Sequence, residues 1–407
     1  MKKHECRVCS GKDFDLIIDL GDQPWGNDFR KQNSDTPIPT YPLRLLFCKS
    51  CTTTQIDYTV KKEIMFGDHY YLSGTTKTLS NHFINVNQKF ITQFNPNPKV
   101  DKILDIGGND GTYLEYFNKL NYITLNVESS FIQSSICKKK RINCINDFFN
   151  FDLSQKIKSK YGNFKIIHGS GIFFHLEELK SVFNGIKNLL DPNKGVLIAE
   201  FIYLPEMIKN LAYDQIYHEH LLYYSLHSFQ NLLNIFDLEI FDAYFDSIHG
   251  GSCIAYISHK KTFKKTNAIL KYFDLEISKG ILNFNTYQDF AKNVYKLKDK
   301  TVKLINKLNK EGKKIHALGA PVKGSTMINY LGFDKRNIEC ALEINDYKVG
   351  TFIPGTDIPV KHQDKMDYPD YYFLLSWNFK DEILSKLNKV YSINGKVIIP
   401  LPDLKII

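Results

Sequence analysis

The 407-residue sequence contains no long apolar run. No segment approaches the ~18 consecutive apolar residues that a membrane helix needs. The most apolar stretch, Gly195 to Tyr203, is short and Glu200 interrupts it. The opening residues, MKKHECRVC, carry two lysines but no apolar h-region, so no secretory signal is expected. No finger, RNP or basic-zipper pattern of a nucleic-acid binder is present. The one dense basic run, Lys138-Lys139-Lys140-Arg141, reads as a solvated helix face. The net charge of +9 is modest for this length and suits anionic small molecules. The expectation is a soluble, cytoplasmic, monomeric protein with neither nucleic acid nor membrane as partner.

Cysteine is what the sequence does have in pattern. Of eight cysteines, four form two Cys-x2-Cys pairs, Cys6/Cys9 and Cys48/Cys51; Cys137, Cys144, Cys253 and Cys340 are isolated. Thiols of a chain without a secretory signal stay reduced, so paired spacing points to metal before disulfide. Two such pairs supply four thiolates to a tetrahedral zinc ion, with no coordination position left open. The metal is therefore expected to stabilise rather than to catalyse.

Three regions follow from the patterning. Residues 1–75 hold both cysteine pairs and four prolines. Residues 76–258 begin with helical periodicity up to Phe94, broken by Asn95-Pro-Asn-Pro98. Short apolar strands then alternate with helices: strands at Lys102–Ile106, Ile123–Val127, Lys165–His168 and Val196–Phe201, helices at Thr112–Leu120, Gln133–Lys140 and Leu176–Leu190. This is the signature of a parallel, doubly wound α/β sheet. Residues 259–407 carry a second such unit after a lysine-rich helix over 286–312. It has a strand at Lys314–Leu318, a glycine loop over Gly319–Gly324, a helix at Ser325–Tyr330 and a strand at Ile338–Leu342.

The strand Lys102–Ile106 runs into Gly107-Gly108-Asn109-Asp110-Gly111 and then a helix. The G-x-G-x-x-G spacing of dinucleotide sites is missing. Asp105 ahead of the glycines matches instead the D/E-x-G-x-x-x-G loop of S-adenosylmethionine enzymes, where an acid can face the cofactor's cationic tail. Gly107, Asn109 and Gly111 would form its cradle. Glu128 ends the next strand, where a carboxylate can take two ribose hydroxyls. Asp147 and Phe148 sit where a third loop would flank adenine.

A dense polar cluster follows the strand Val196–Phe201: Tyr213, Tyr217-His218-Glu219-His220, then Tyr223-Tyr224-Ser225. Histidine can act as general base near neutrality, and a neighbouring tyrosine can donate to a developing enolate oxygen. The His-Glu-His string is not H-E-x-x-H, so the helical zinc-protease geometry is absent. His69-Tyr70-Tyr71 closes the cysteine region, and His175 lies just past a strand at the carboxyl edge of the sheet.

In this order the motifs resemble the sugar C-methyltransferases of deoxysugar biosynthesis. Those motifs are the two cysteine pairs, His69-Tyr70-Tyr71-x-Ser73, the Asp105 loop, Tyr217-His218-Glu219-His220-x-x-Tyr223-Tyr224-Ser225, His249-Gly250-Gly251-Ser252, Gly319-Ala320-Pro321-x-Lys323-Gly324 and Pro354-Gly355-Thr356. They span residues 6 to about 361. The resemblance implies an N-terminal zinc domain (1–75), a central class I S-adenosylmethionine-binding Rossmann-like domain (76–258) and a C-terminal Rossmann-like domain for a nucleotide sugar (259–407). It implies methylation at C3 of a dTDP- or GDP-type 4-keto-6-deoxysugar through an enolate. It makes His220 the base, supported by Tyr217 and Glu219, with Tyr71 and His175 lining the sugar pocket. His218 and Tyr223 would contact substrate.

The second glycine loop places Lys323, Gly324 and Ser325 near a helix N-terminus, a favourable place for a diphosphate. The alternatives are a packing-only Rossmann turn, or a nicotinamide site with Glu343 on the ribose. Transfer to oxygen or nitrogen, or an inactive zinc and nucleotide-sugar binder, are the other readings of the whole chain. The Tyr217–His220 string argues against the first and the intact Asp105 loop against the second.

Overall fold

A computed structural model describes residues 1–31, 37–66, 72–75, 77–365, 368–390 and 395–407. The chain opens with a cysteine turn and a long hairpin, β1 (Phe14–Pro24) and β2 (Thr40–Cys48), followed by β3 (Thr54–Ile56). The two cysteine turns repeat one backbone pattern. Cys6 N–H donates to Gly11 O and Ser10 N–H to Cys6 O; Cys48 N–H donates to Thr53 O and Thr52 N–H to Cys48 O. Ser10 and Thr52 both take left-handed φ, 61° and 58°, which swings the chain back around each sulfur pair.

A short helix α1 (Lys62–Phe66) precedes α2 (Lys77–Phe94), which buries Leu79, Phe83, Val86 and Phe90 along one stripe. Alternation then begins: β4 (Lys102–Ile106), α3 (Thr112–Lys119), β5 (Ile123–Val127), α4 (Phe131–Lys139), β6 (Cys144–Ile145), α5 (Phe151–Tyr161), β7 (Ile166–Ser170), α6 (Leu179–Leu189) and β8 (Val196–Ile202). After α7 (Leu204–Lys209) and the loop that carries the histidine cluster come β9 (Leu222–Tyr223), α8 (Leu226–Asn234), β10 (Leu238–Asp246) and β11 (Ser252–His259). The seven-stranded sheet has the order β10-β11-β8-β7-β4-β5-β6. Its first five strands in chain order are parallel, and β11 enters antiparallel to β8. This is the expected Rossmann-like class I arrangement. The antiparallel return of β10 and β11 lies outside the sequence expectations. It closes one edge of the sheet and delivers the loop around His249 to the same end as the other strand-to-helix loops.

Two helices, α9 (Asn267–Ser278) and α10 (Phe284–Lys310), lead to β12 (Ile315–Leu318), α11 (Val322–Leu331), β13 (Cys340–Glu343), β14 (Val360–His362), β15 (Tyr371–Leu374), α12 (Lys380–Val390), β16 (Lys396–Ile399) and β17 (Lys405–Ile406). This sheet runs β14-β13-β12-β15-β16-β17, with only β17 antiparallel. The α11 helix starts at Val322 rather than at Ser325. Pro321, at φ −71°, is pre-set for a helix entry, so Lys323, Gly324 and Ser325 stand in the first turns of a helix and not in a loop.

The three regions interlock. Strand β9, from the centre of the chain, is the fourth strand of the N-terminal sheet. Phe47 of β2 packs on Tyr287 of α10, with ring centroids 4.9 Å apart. Ser325 Oγ donates to Gly26 O at 2.9 Å. Among the described residues, no helix is long and apolar enough to cross a membrane.

Candidate active site

The metal centre is the simplest part. Cys6 and Cys51 sulfurs lie 3.6 Å apart, as do those of Cys9 and Cys48, and all four fall within 4.8 Å of one another. Four thiolates bonded at ~2.3 Å around one tetrahedral zinc ion stand about 3.8 Å apart, so the set fits. Gly11 N–H points at Cys9 Sγ from 3.4 Å, a donor suited to a thiolate.

The glycine loop is held by acids on both sides. Asp105, at the end of β4, is buried and takes His168 Nδ1 at 2.7 Å on Oδ1. Burial pushes its carboxyl above the ordinary value, and His168 pulls against that. The loop passes directly over this carboxylate. A Cβ on Gly108 would lie 2.3 Å from Asp105 Oδ2 and 2.4 Å from Asn126 Oδ1, so only glycine fits. Glu128, at the end of β5, accepts Asn109 N–H at 2.9 Å and Ser130 N–H at 2.8 Å, one on each oxygen. Its remaining lone pairs are available to a diol. Asp147 accepts Phe148 N–H at 2.8 Å, and the Phe148 ring is exposed. An acid, a backbone-bonded carboxylate and an exposed ring, with Lys62 Nζ 4.9 Å over it, along one sheet edge suit the amine, ribose and base of S-adenosylmethionine.

A second polar layer lies beneath. Asp105, His168 and Glu200 stand at alternate positions of adjacent strands and share the face covered by α2. His82 of α2 bonds Glu200 Oε2 at 3.0 Å, and Ser170 Oγ donates to the same oxygen at 3.1 Å. Burial opposes charge on His82, but Glu200 and Asp246 outweigh it and raise the imidazole. Glu200 is lowered in turn: burial would raise it, and His82 prevails. Tyr113 stacks on His168 at 3.4 Å.

The stretch 213–220 sits between this edge and the C-terminal sheet. His220 is fully enclosed, and its Nδ1 lies 3.0 Å from Gln215 O. A carbonyl can only accept, so Nδ1 carries the proton and the lone pair lies on Nε2. Burial lowers its pKa well below the ordinary imidazole value, which keeps it neutral. His175 does the same against Glu219 O at 2.5 Å. The two imidazole centroids are 5.1 Å apart, and the Tyr217 ring lies 3.9 Å from that of His220. Tyr223 O–H donates to Gln215 O at 3.2 Å. Burial raises Glu219 to about 7, with Trp25 and Lys348 pulling it back. Trp25 Nε1–H donates to Glu219 Oε1 at 2.7 Å.

Three family models tile the chain. They are described as "Putative zinc binding domain" over residues 6–66, "Methyltransferase domain" over 81–243 and "C-methyltransferase C-terminal domain" over 247–402. C-methyltransferase NovU of Streptomyces niveus is 26% identical over 407 residues, covering 99% of this chain and 96% of the relative. The chain carries these three domains in one order from residue 6 to residue 402. It is an S-adenosylmethionine-dependent C-methyltransferase with a four-cysteine zinc domain. Two solved structures each match less than half of it. One is an S-adenosylmethionine-dependent methyltransferase from Anabaena variabilis (15% identity, 44% of this chain and 83% of that one, TM-score 0.34). Another is the plantazolicin methyltransferase BpumL in complex with S-adenosylhomocysteine (16%, 46% and 86%, TM-score 0.35).

Within this C-methyltransferase the expected site residues divide. His175, Tyr217, Glu219 and His220 converge; Tyr71 lies outside the described residues. His218 turns the other way: its Nε2 lies 3.3 Å from Pro42 O and its ring meets Tyr41 edge-on, so it packs the zinc domain instead of facing substrate. Burial holds it down at about 4. Tyr223 is buried on Gln215 rather than directed at a ligand. Lys323 is likewise engaged internally, 3.8 Å from Asp214 and hydrogen-bonded to Asn378 Oδ1. Ser325 is tied to Gly26, and a Cβ on Gly324 would meet Leu375 at 3.0 Å. The diphosphate contacts expected of these three residues are replaced by packing between domains, because α11 begins early and points them inward. Glu343 accepts Ala320 N–H at 2.8 Å, as Glu128 does for Asn109, so the second glycine loop repeats the first.

Sequence reasoning missed Trp25, His82, His168, Glu200, Asp214, Lys348 and Trp377. For His168 and Glu200 a signal existed: each follows the apolar period-2 face of its strand, where a titratable residue stands out. Trp25 and Trp377 gave none, since their partners lie in other domains.

Proposed function

We propose that this enzyme methylates C3 of a nucleotide-linked 4-keto-6-deoxysugar, of dTDP or GDP type, through an enolate raised by His220. The observation that carries the reading is the fixed tautomer of a buried, neutral His220. Its Nδ1–H is spent on Gln215 O, and its ring lies beside those of Tyr217 and His175 at the carboxyl edge of the sheet. A neutral imidazole in a dry pocket can take a proton from carbon only where an adjacent ketone makes that C–H acidic. The proton passes to Nε2, and the C–H electron pair moves into the enolate. Tyr217 and Glu219 face the oxygen that becomes negative. Held near 7, Glu219 carries a proton over much of the neutral range and can donate a hydrogen bond there. His175 lines the sugar pocket beside it.

The cofactor, held by Asp105, Gly107, Asn109, Gly111, Glu128, Asp147 and Phe148, supplies an electrophilic methyl on a sulfonium. The chain's own contribution is to orient the enolate carbon toward it and to exclude water. The nucleotide is assigned to the carboxyl edge of the C-terminal sheet, at Gly319, Ala320 and Glu343. Incubation with methyl-labelled S-adenosylmethionine and a panel of nucleotide-linked 4-keto-sugars tests the reading. The expected product holds its label through acid hydrolysis as a carbon branch. Label released as methanol or found on oxygen would refute it.

A further inference from the structure

The chain has two tryptophans. Trp25 follows β1 of the zinc domain, and Trp377 follows β15 of the C-terminal sheet. Each indole donates its N–H, at 2.7 Å, to a carboxylate of the one stretch 213–220: Trp25 to the half-buried Glu219 Oε1 and Trp377 to the buried Asp214 Oδ2. The stretch thus carries two acids, each gripped from a different side by a different domain.

Each grip lies at or next to a carbonyl that orients an imidazole. Asp214 precedes Gln215, whose carbonyl accepts His220 Nδ1–H and Tyr223 O–H, and whose side chain donates to His249 O at 3.0 Å. Glu219 is itself the residue whose main-chain carbonyl takes His175 Nδ1. Moving either carboxylate therefore moves the acceptor that sets a histidine. The grips are reinforced: Lys323 Nζ lies 4.5 Å over the Trp377 ring and 3.8 Å from Asp214, and the Gly250 backbone packs against the same indole. Asp214 is wholly buried; burial raises its carboxyl, and Lys323 and Trp377 are the side chains that pull against that.

We propose that Trp25 and Trp377 are positioning residues for the methyl transfer, two indole clamps that orient His175 and His220 only when both flanking domains are docked. The proposal rests on the reading of His220 as base. The Glu219 carboxylate faces Trp25 from the zinc domain and Lys348 from the C-terminal domain, while its main-chain carbonyl takes His175 of the central one. Trp25 is the strongest of the influences that pull Glu219 down.

Full-length Trp25→Phe and Trp377→Phe proteins test this beside His220→Ala. Each tryptophan variant is expected to lose roughly tenfold to a hundredfold in kcat, the scale of a misplaced catalytic group, with KM for S-adenosylmethionine within about twofold. In Trp25→Phe the limb of the pH–rate profile that follows Glu219 moves to higher pH; in Trp377→Phe it stays. The emission of Trp25 alone, read in Trp377→Phe, titrates near pH 7, and the added Glu219→Gln change abolishes that step. This fluorescence readout in the folded protein needs no activity. If His220→Ala is inactive while both tryptophan variants keep kcat within about twofold, the clamps are refuted and the base stands. If His220→Ala stays active, the base reading falls instead. A Trp25 emission that ignores Glu219 overturns the first clamp outright. Should Trp377→Phe not fold, the same titration is read in wild type against Glu219→Gln.

Discussion

In the proposed reaction the chemistry concentrates on one side chain, His220. Its environment removes the charge and fixes the tautomer, so the lone pair is presented without competition from water. His220→Ala is expected to cut turnover by about 10²-fold or more while calorimetric affinity for S-adenosylmethionine stays within about twofold, since no cofactor contact is lost. Glu219 makes a separate prediction at this scale. Its folded pKa, about 7, lies above the ordinary 4.5, so the stability it contributes is complete below 4.5 and is lost as pH rises through 7. Glu219→Gln keeps an acceptor for Trp25 and does not titrate. The melting temperature of the variant should therefore gain on wild type between pH 5 and 8; a constant difference would mean that Glu219 is not held high.

At the scale of elements, the glycine loop shapes the edge proposed for the cofactor. Gly108→Ala drives a methyl into Asp105 and Asn126, so it is expected to destabilise the protein by about 1–3 kcal/mol and to weaken S-adenosylmethionine binding, measured by melting and calorimetry. This part of the molecule was legible in the sequence. The apolar runs at β4 and β5 mark buried parallel strands, and the glycines and acids between them keep their meaning wherever the chain packs. The strand after α8 was not legible in the same way, because β10 and β11 form an antiparallel return within a sheet that otherwise alternates with helices. The site was half legible. His175, Tyr217, Glu219 and His220 announce themselves as a dense polar string after a strand. The direction each side chain takes does not, since His218 and Lys323 carry the same chemistry and are turned inward by partners far away in sequence.

At the scale of the whole molecule, the zinc domain reaches the proposed active site instead of standing apart from it. It borrows β9 from the chain beyond the catalytic loop, receives His218 on Pro42 and sends Trp25 to Glu219. Removing zinc should therefore do more than loosen residues 1–66. Chelation, or Cys6→Ser with Cys51→Ser, is expected to lower the melting temperature and to abolish turnover together, with metal content followed by atomic emission. Turnover unchanged in metal-free protein would separate the zinc domain from catalysis.

In the proposed reaction a carbon beside a ketone loses its proton to His220 before the methyl arrives. Solvent deuterium exchange measures that step alone. With a nucleotide-linked 4-keto-6-deoxysugar and S-adenosylhomocysteine, in D2O, wild type should place deuterium at C3 and His220→Ala should not. No exchange by wild type under conditions where methyl transfer proceeds, or equal exchange by His220→Ala, would contradict the account.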